Sequence, residues 1–228
     1  NGGSGDPSPV TALGAYSGIK ATVKNKLGKD SLFGLKIGVQ GVGNVGYHLC
    51  KYLNKEGVIL YVSDVDQNSL KRVVNDFGAK IIDIESIYSS DIDVYAPCAL
   101  GGTVNDFTIP KLKCSIIAGA ANNQLEKDIH AQILYEKDIL YAPDYVINAG
   151  GLINCAHEIE GYNEETALLQ AEHSIYDNLI EVYKLSSSDR INTHEAAMKI
   201  ANNRLNDLAK KNNLKSSNKD ILDNSDNI

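Results

Sequence analysis

"LKIGVQGVGNVGYHLCKYL", residues 35–53, runs from an apolar stretch through Gly41, Gly43 and Gly46 into a segment with helical spacing. Residues 35–40 are a short apolar run of buried-strand type, and 44–57 read as a helix ending at Gly57. In that setting each glycine has a physical reason. Gly41 permits a tight turn, Gly43 omits the side chain that would block a pyrophosphate, and Gly46 lets helix and strand pack closely. The free amides of the helix start, with a dipole worth about half a unit charge, favour an anion there. A Gly-rich strand-to-helix turn without a ligand is the alternative, and context argues against it.

That context is Asp64, at the end of the next apolar run, 58–64. A carboxylate there accepts hydrogen bonds from the adenosine ribose hydroxyls and repels a 2′-phosphate, which points to NAD rather than NADP. The helix that follows needs a cap in any case, so a capping role for Asp64 stays open.

Working outward, Ser8 and Pro9 read as the cap and first turn of a helix that keeps apolar spacing over 10–27 and stops at Gly28. A further helix is expected from Asp66 to Phe77, closed by Gly78, and short apolar runs recur at 79–82, 92–96, 115–118 and 139–142. This alternation predicts an α/β chain with a Rossmann-type, doubly wound parallel sheet and flanking helices. After "NAGG" (148–151) only helices are expected, over 151–160, 164–186 and 193–212, before a polar, mobile tail at 213–228. The expected division is a dinucleotide-binding region with its leading helix, 1–150, and C-terminal helices, 151–212, that pack on it.

Composition narrows the function. The 228 residues carry a formal net charge of -7 with a pI near 5.2, the opposite of the basic face that a nucleic-acid partner requires. No apolar run approaches the roughly 18–20 residues of a membrane span and no signal-peptide pattern opens the chain, so a cytoplasmic location is expected. Cys50, Cys98, Cys114 and Cys155 form no Cys-x-x-Cys pair and the five histidines are scattered. Reduced, mostly buried thiols and no metal site are expected. The first residue is Asn1, and the chain is expected to be a piece of a longer protein.

Five ordered motifs, "GDPSPVTALG" (5–14), "VQGVGNVG" (39–46), "APCALGG" (96–102), "AGAANNQ" (118–124) and "YAPDYVINAGG" (141–151), carry a resemblance. From about Gly2 to Lys210 the chain resembles the second, nucleotide-binding domain of the leucine, valine and phenylalanine dehydrogenases. The resemblance implies that Thr11 contacts the nicotinamide carboxamide and that Gly41, Val42, Gly43, Asn44, Val45, Gly46 and Tyr47 wrap the pyrophosphate. It implies that Asp64 holds the ribose and that Cys98, Ala99 and Leu100 line the cofactor near its adenosine side. Ala120 and Asn122 are then placed by the nicotinamide ribose, Asn122 also near the substrate, and Leu152 and Cys155 face the substrate side chain. The family pattern has valines at those last two positions, so Cys155 is a departure from it.

Without the resemblance, Asn122 and Asn123 read as turn residues and Cys155 as a small core residue on an apolar helix face. Asn148, Gly150 and Gly151 read as a helix start, and Tyr141, Tyr145 and Tyr162 as packing residues.

The implied activity of the whole protein is NAD-dependent oxidative deamination of L-leucine or a related branched-chain amino acid, by a homo-oligomer. Valine or phenylalanine specificity is the neighbouring alternative. A glutamate enzyme fits less well, because Leu152 and Cys155 offer an apolar surface to a second carboxylate. In the family a lysine within a "GGGK" segment handles the proton with an aspartate. No GGGK occurs in these 228 residues, so the catalytic pair is expected in an N-terminal domain outside them. The chain alone is then expected to bind NAD without turnover. A non-catalytic NAD-binding module is the reading from another class.

Overall fold

The apolar run that opens the glycine motif forms β1 (Lys36–Gln40), at the middle of a parallel sheet. The computed structural model describes residues 5–160 and 163–223. In chain order these form α1 (Ser8–Leu27), β1, α2 (Asn44–Lys55), β2 (Ile59–Ser63), α3 (Gln67–Phe77), β3 (Lys80–Ile81), β4 (Val94–Pro97), β5 (Ile116–Ile117), α4 (Ile129–Glu136), β6 (Leu140–Tyr141), α5 (Asp144–Ile147), α6 (Gly150–Glu160), α7 (Glu164–Asp189) and α8 (Thr193–Asp223). The six strands lie in the order β3-β2-β1-β4-β5-β6 and every pairing is parallel. This is the doubly wound order, with its reversal between β1 and β4. Each strand coincides with one of the expected apolar runs.

Strand alternation splits the core into two layers. Val94 and Ala96 of β4 and Ile116 of β5 face a layer with Leu49, Leu53, Ile175 and Leu179, while Tyr95 and Ile117 face a second with Ile87, Leu134 and Tyr141. α1 is buried on most of its circumference, as its Ala, Gly and Ile content allows. Side chains at Gly14 and Gly18 would lie 2.4 Å from Ile175 Cδ1 and 2.4 Å from Ile147 Cγ1, so these two positions set how closely α5 and α7 approach α1. The C-terminal helices therefore share the core of the sheet layer.

Several boundaries differ from the sequence reading. Ser8 is the first residue of α1 and not its cap; Asp6 Oδ1 accepts its N–H at 2.9 Å, because Pro7 and Pro9 fix the first turn one step earlier. The cap of α3 is Asp66, whose carboxylate accepts from Asn68 and Ser69 N–H groups, which removes the capping role considered for Asp64. The crossovers on either side of β4 contain only single 3₁₀ turns, Ile87–Ser89 and Ile109–Lys111, the latter containing Pro110. α8 continues to Asp223, into the stretch expected as a tail, while 224–228 and Tyr162 lie outside the described residues. No described helix is long and apolar enough to cross a membrane.

Candidate functional site

β1 ends at Gln40, and the chain turns at once through Gly41, whose φ of 92° lies where residues with a Cβ are strained. A Cβ on Gly41 would also lie 2.6 Å from that of Ala99. On Gly46 it would sit 2.0 Å from the Gly41 carbonyl oxygen, so α2 can begin directly against the turn only because Gly46 has no side chain. Gly43 is different: a Cβ there would meet nothing within 4 Å. It caps α2 with its exposed face open to solvent. That open approach fits a pyrophosphate, whose oxygens need the bare backbone and not a side chain.

The supply of donors is equally specific. Gly41 N–H is used by Ser63 O at 2.8 Å and Val42 N–H by Asp64 Oδ2 at 2.6 Å. Tyr47 N–H already donates to Gly43 O at 2.8 Å. The N–H groups of Asn44, Val45 and Gly46 form the first turn of α2, where no intrahelical acceptor exists, and they remain for an anion. Tyr47 thus stands apart from its expected neighbours. Its hydroxyl donates to Asp76 Oδ2 at 2.8 Å and the Arg72 guanidinium lies 3.5 Å over its ring, so its side chain packs α2 on α3.

Asp64 Oδ1 accepts Asp66 N–H at 2.9 Å while Oδ2 accepts Val42, so each oxygen keeps a lone pair for a ribose hydroxyl. Beside it lies a cavity of about 460 Å³ lined by Val65, Leu70, Ile81, Ile82 and Ile84, a surface for a flat base, and also by the polar Gln67, Asp83 and Glu85. Across the loop, Cys98 N–H bonds Gln40 O at 2.7 Å, and Ala99 and Leu100 extend outward, Leu100 81% exposed. Burial pushes the Cys98 thiol up to about 11, which keeps it protonated.

At the other end the structure gathers residues from three motifs. Asn148 Nδ2 donates to Asn122 Oδ1 at 2.6 Å. Both line a cavity of about 510 Å³ with Tyr145, Leu152, Asp128 and His194. Ala120 is half-buried on the same loop as Asn122. Thr11 reaches this region because Gly150 and Gly151 start α6 against α1: a side chain on Gly151 would lie 3.1 Å from the Thr11 hydroxyl, which itself donates to Pro7 O at 3.0 Å. Leu152 is 76% exposed and Cys155, one turn on, is exposed too, which corrects the reading of Cys155 as a core residue. The face of α6 that carries them is turned away from α1 and α7.

Asn123, at φ 51°, is the left-handed turn residue, and both it and Asn122 line the cavity. Tyr145, read from sequence as a packing residue, and His194, which no motif marks, also line this cavity. Tyr145 hydroxyl donates to His194 O at 3.2 Å across 49 positions, a proximity that no local pattern announces. A second cavity of about 510 Å³, by Lys26, Tyr135, Tyr183 and the β6 edge, includes Tyr141 of the fifth motif but none of the residues expected at the cofactor or the substrate. Among the described residues Asp106, Glu126 and His130 lie close enough to share a cation. However, His130 Nδ1 already accepts Lys127 N–H and its Nε2 meets Asp106, so both ring nitrogens are occupied.

A parallel sheet in this order, with a glycine turn and an acidic residue at the ends of its first two strands, defines a Rossmann-type protein. Its family follows from comparison: the chain belongs to the glutamate/leucine/phenylalanine/valine dehydrogenase family, whose model matches residues 64–214. It is 54% identical over 204 residues to a leucine dehydrogenase of Bacillus cereus, covering 90% of this chain and 56% of the relative. An L-tryptophan dehydrogenase of Nostoc punctiforme is 50% identical over 204 residues, with coverage of 89% and 58%. The crystal structure of an L-tryptophan dehydrogenase from Nostoc punctiforme superposes with a TM-score of 0.87 at 48% identity, over 90% of this chain and 63% of that one. The chain therefore spans little more than half the length of the curated relatives it matches.

Proposed function

We propose that this chain binds NAD across the carboxyl ends of its strands and forms the cofactor half of an amino-acid dehydrogenase that deaminates L-leucine or a related branched-chain amino acid. The observation that carries the reading is the lock between Asp64 and Val42, which holds an acidic ribose acceptor beside the first turn of α2, whose amides have no intrahelical acceptor. Asp64 offers no positive charge to a 2′-phosphate, which favours NAD over NADP.

In the overall reaction an amino acid, NAD and water give the 2-oxo acid, ammonium and NADH. Bound NAD supplies the acceptor for the hydride that leaves the substrate Cα. Asn44 to Gly46 hold the pyrophosphate with backbone N–H groups, and Asp64 orients the adenosine ribose. Thr11 meets the carboxamide, Cys98, Ala99 and Leu100 flank the adenosine side, and Ala120 supports the nicotinamide ribose. Asn122, fixed by Asn148, faces both that ribose and the substrate. Leu152 and Cys155 form an apolar wall that excludes water from an aliphatic side chain and leaves a second carboxylate without a partner. Relatives named for leucine and for tryptophan are similarly close, and the leucine reading rests on the higher identity.

No lysine lines the cavity of Asn122 among the described residues. The proton-handling lysine and aspartate, and much of the subunit contact of a homo-oligomer, belong in this proposal to a further domain that packs on the helices of 151–212. Residues 1–150 carry the cofactor.

Calorimetric titration with NAD, NADP as control, followed by a leucine-dependent NADH absorbance assay on the same samples, tests the reading. NAD binding without NADH production is expected. Turnover by this chain alone would place the base within it, and failure to bind NAD would remove the proposal.

A further inference from the structure

Gln124 has no part in the reading above, yet it is 0% exposed and its side chain sits under the loop that presents Asn122. Nε2 donates to Gly119 O at 2.7 Å and to Ala121 O at 3.0 Å. One amide group thus clamps two inward carbonyls from within the loop. The same loop is tied outward as well: Ala121 N–H bonds Pro97 O at 2.9 Å, Gly102 N–H bonds Asn123 O at 2.7 Å, and Val104 N–H bonds Gln124 O at 3.0 Å. Asn122 stands at the apex of a turn held at the end of β4, at the 102–104 segment and, internally, by Gln124.

The chemistry of the clamp is selective. Both targets are acceptors, so the side chain must bring two hydrogens, which an amide has and a carboxylate lacks. Gln124 Oε1 has no hydrogen-bond partner among the described residues, so an apolar side chain of similar volume would fill the space without that cost. What the amide adds is the position of the Gly119 and Ala121 carbonyls, and with them the direction of Asn122 toward Asn148.

We infer that Gln124 is a positioning residue that sets Asn122 for the nicotinamide end of NAD. The inference rests on the proposed NAD reading, and the test separates the two. NADH and ADP are titrated against the full chain, since ADP engages the glycine loop and Asp64 but has no nicotinamide end. Gln124→Glu is expected to weaken NADH about 10-fold, roughly one hydrogen-bonded contact in binding terms, and to leave ADP within about 2-fold. Part of the NADH loss should return at pH 5.5, where a buried carboxyl beside two carbonyls takes up a proton and donates again. Gln124→Met should show the loss without the recovery. In an Asn122→Ala background Gln124→Glu should cost NADH affinity nothing further, because the effect runs through Asn122. Equal weakening of NADH and ADP, no weakening of either, or full additivity with Asn122→Ala would overturn the inference. Wild-type chain that binds neither ligand would overturn the NAD reading itself, and this one with it.

Discussion

The carboxylate of Asp64 and the amide of Val42 are joined by a 2.6 Å hydrogen bond, so the residue that follows β2 also fixes the loop that follows β1. Asp64→Asn keeps an acceptor for Val42 but removes the charge. Hydrogen bonds to charged groups contribute about 1.5–3 kcal/mol, so NAD affinity should fall by about 10-fold or more, and the gap between NAD and NADP should narrow with it. Calorimetry with both nucleotides checks this; an unchanged preference would separate Asp64 from the ribose.

The three glycines make separable demands. Gly43 has a φ of -65°, and its missing Cβ faces open space, so Gly43→Ala should leave the melting temperature nearly unchanged while NAD binding drops. Gly46→Ala puts a methyl 2.0 Å from the Gly41 carbonyl oxygen and should destabilise the fold by about 1–3 kcal/mol, the usual range for overpacking. Thermal melts run beside NAD titrations distinguish the two outcomes. A stability loss in Gly43→Ala would mean that the space seen beside it is filled.

The sheet was legible because its information is local: apolar runs separated by helices, Gly28 and Gly78 closing α1 and α3 as read, and a glycine turn at the end of β1. The cap of α3 was ambiguous because Asp64 and Asp66 are both acidic and two positions apart; only the backbone shows which carboxylate reaches Asn68 and Ser69. The resemblance implies that Tyr47 belongs to the pyrophosphate loop, and what sequence does not show is that its side chain leaves toward α3. The wall of the Asn122 cavity was only half legible. Asn122, Asn148 and Tyr145 lie in motifs and Leu152 directly follows one, but Tyr145 meets His194 through the packing of α8, which has no signal in either stretch. Nor could the apolar run of α6 say which of its faces stays uncovered, and Cys155 lies on that one.

Tyr16 on α1 donates to Glu56 at the end of α2, and Lys20 adds an ion pair at 3.3 Å. The Tyr16 hydrogen bond, with the Lys20 contact behind it, holds the Glu56 carboxyl below its ordinary value. A group whose folded pKa is lowered stabilises the fold above its unfolded value, about 4.3 for Glu, and loses that contribution as pH falls through the folded value. The Glu56 side chain is 24% exposed, so a figure near the low end is appropriate. Tyr16→Phe should cost about 1 kcal/mol at pH 7, and the difference should shrink below about pH 4. Urea melts of both proteins over pH 3–7 measure it; a constant gap would remove the charge of Glu56 from the explanation.

Cysteine reactivity gives an independent check on α6. Cys155 is exposed, whereas burial pushes the Cys114 thiol up to about 12 and Cys98 to about 11, and Cys50 is buried against the first core layer. A thiol reagent on the native chain should label one cysteine quickly, and Cys155→Ala should abolish that fast phase. Two fast thiols would mean that the sheet side of the glycine loop opens.

An amide NMR titration of the chain with NAD would locate the ligand residue by residue. The expected shifts fall on Asn44, Val45 and Gly46, on Val42 and Asp64, and on Asn122 and Asn148 at the far end, with little change along α4. Shifts confined to other parts of the chain, such as the cavity of Lys26 and Tyr183, would show that the glycine loop is a turn and not the NAD site.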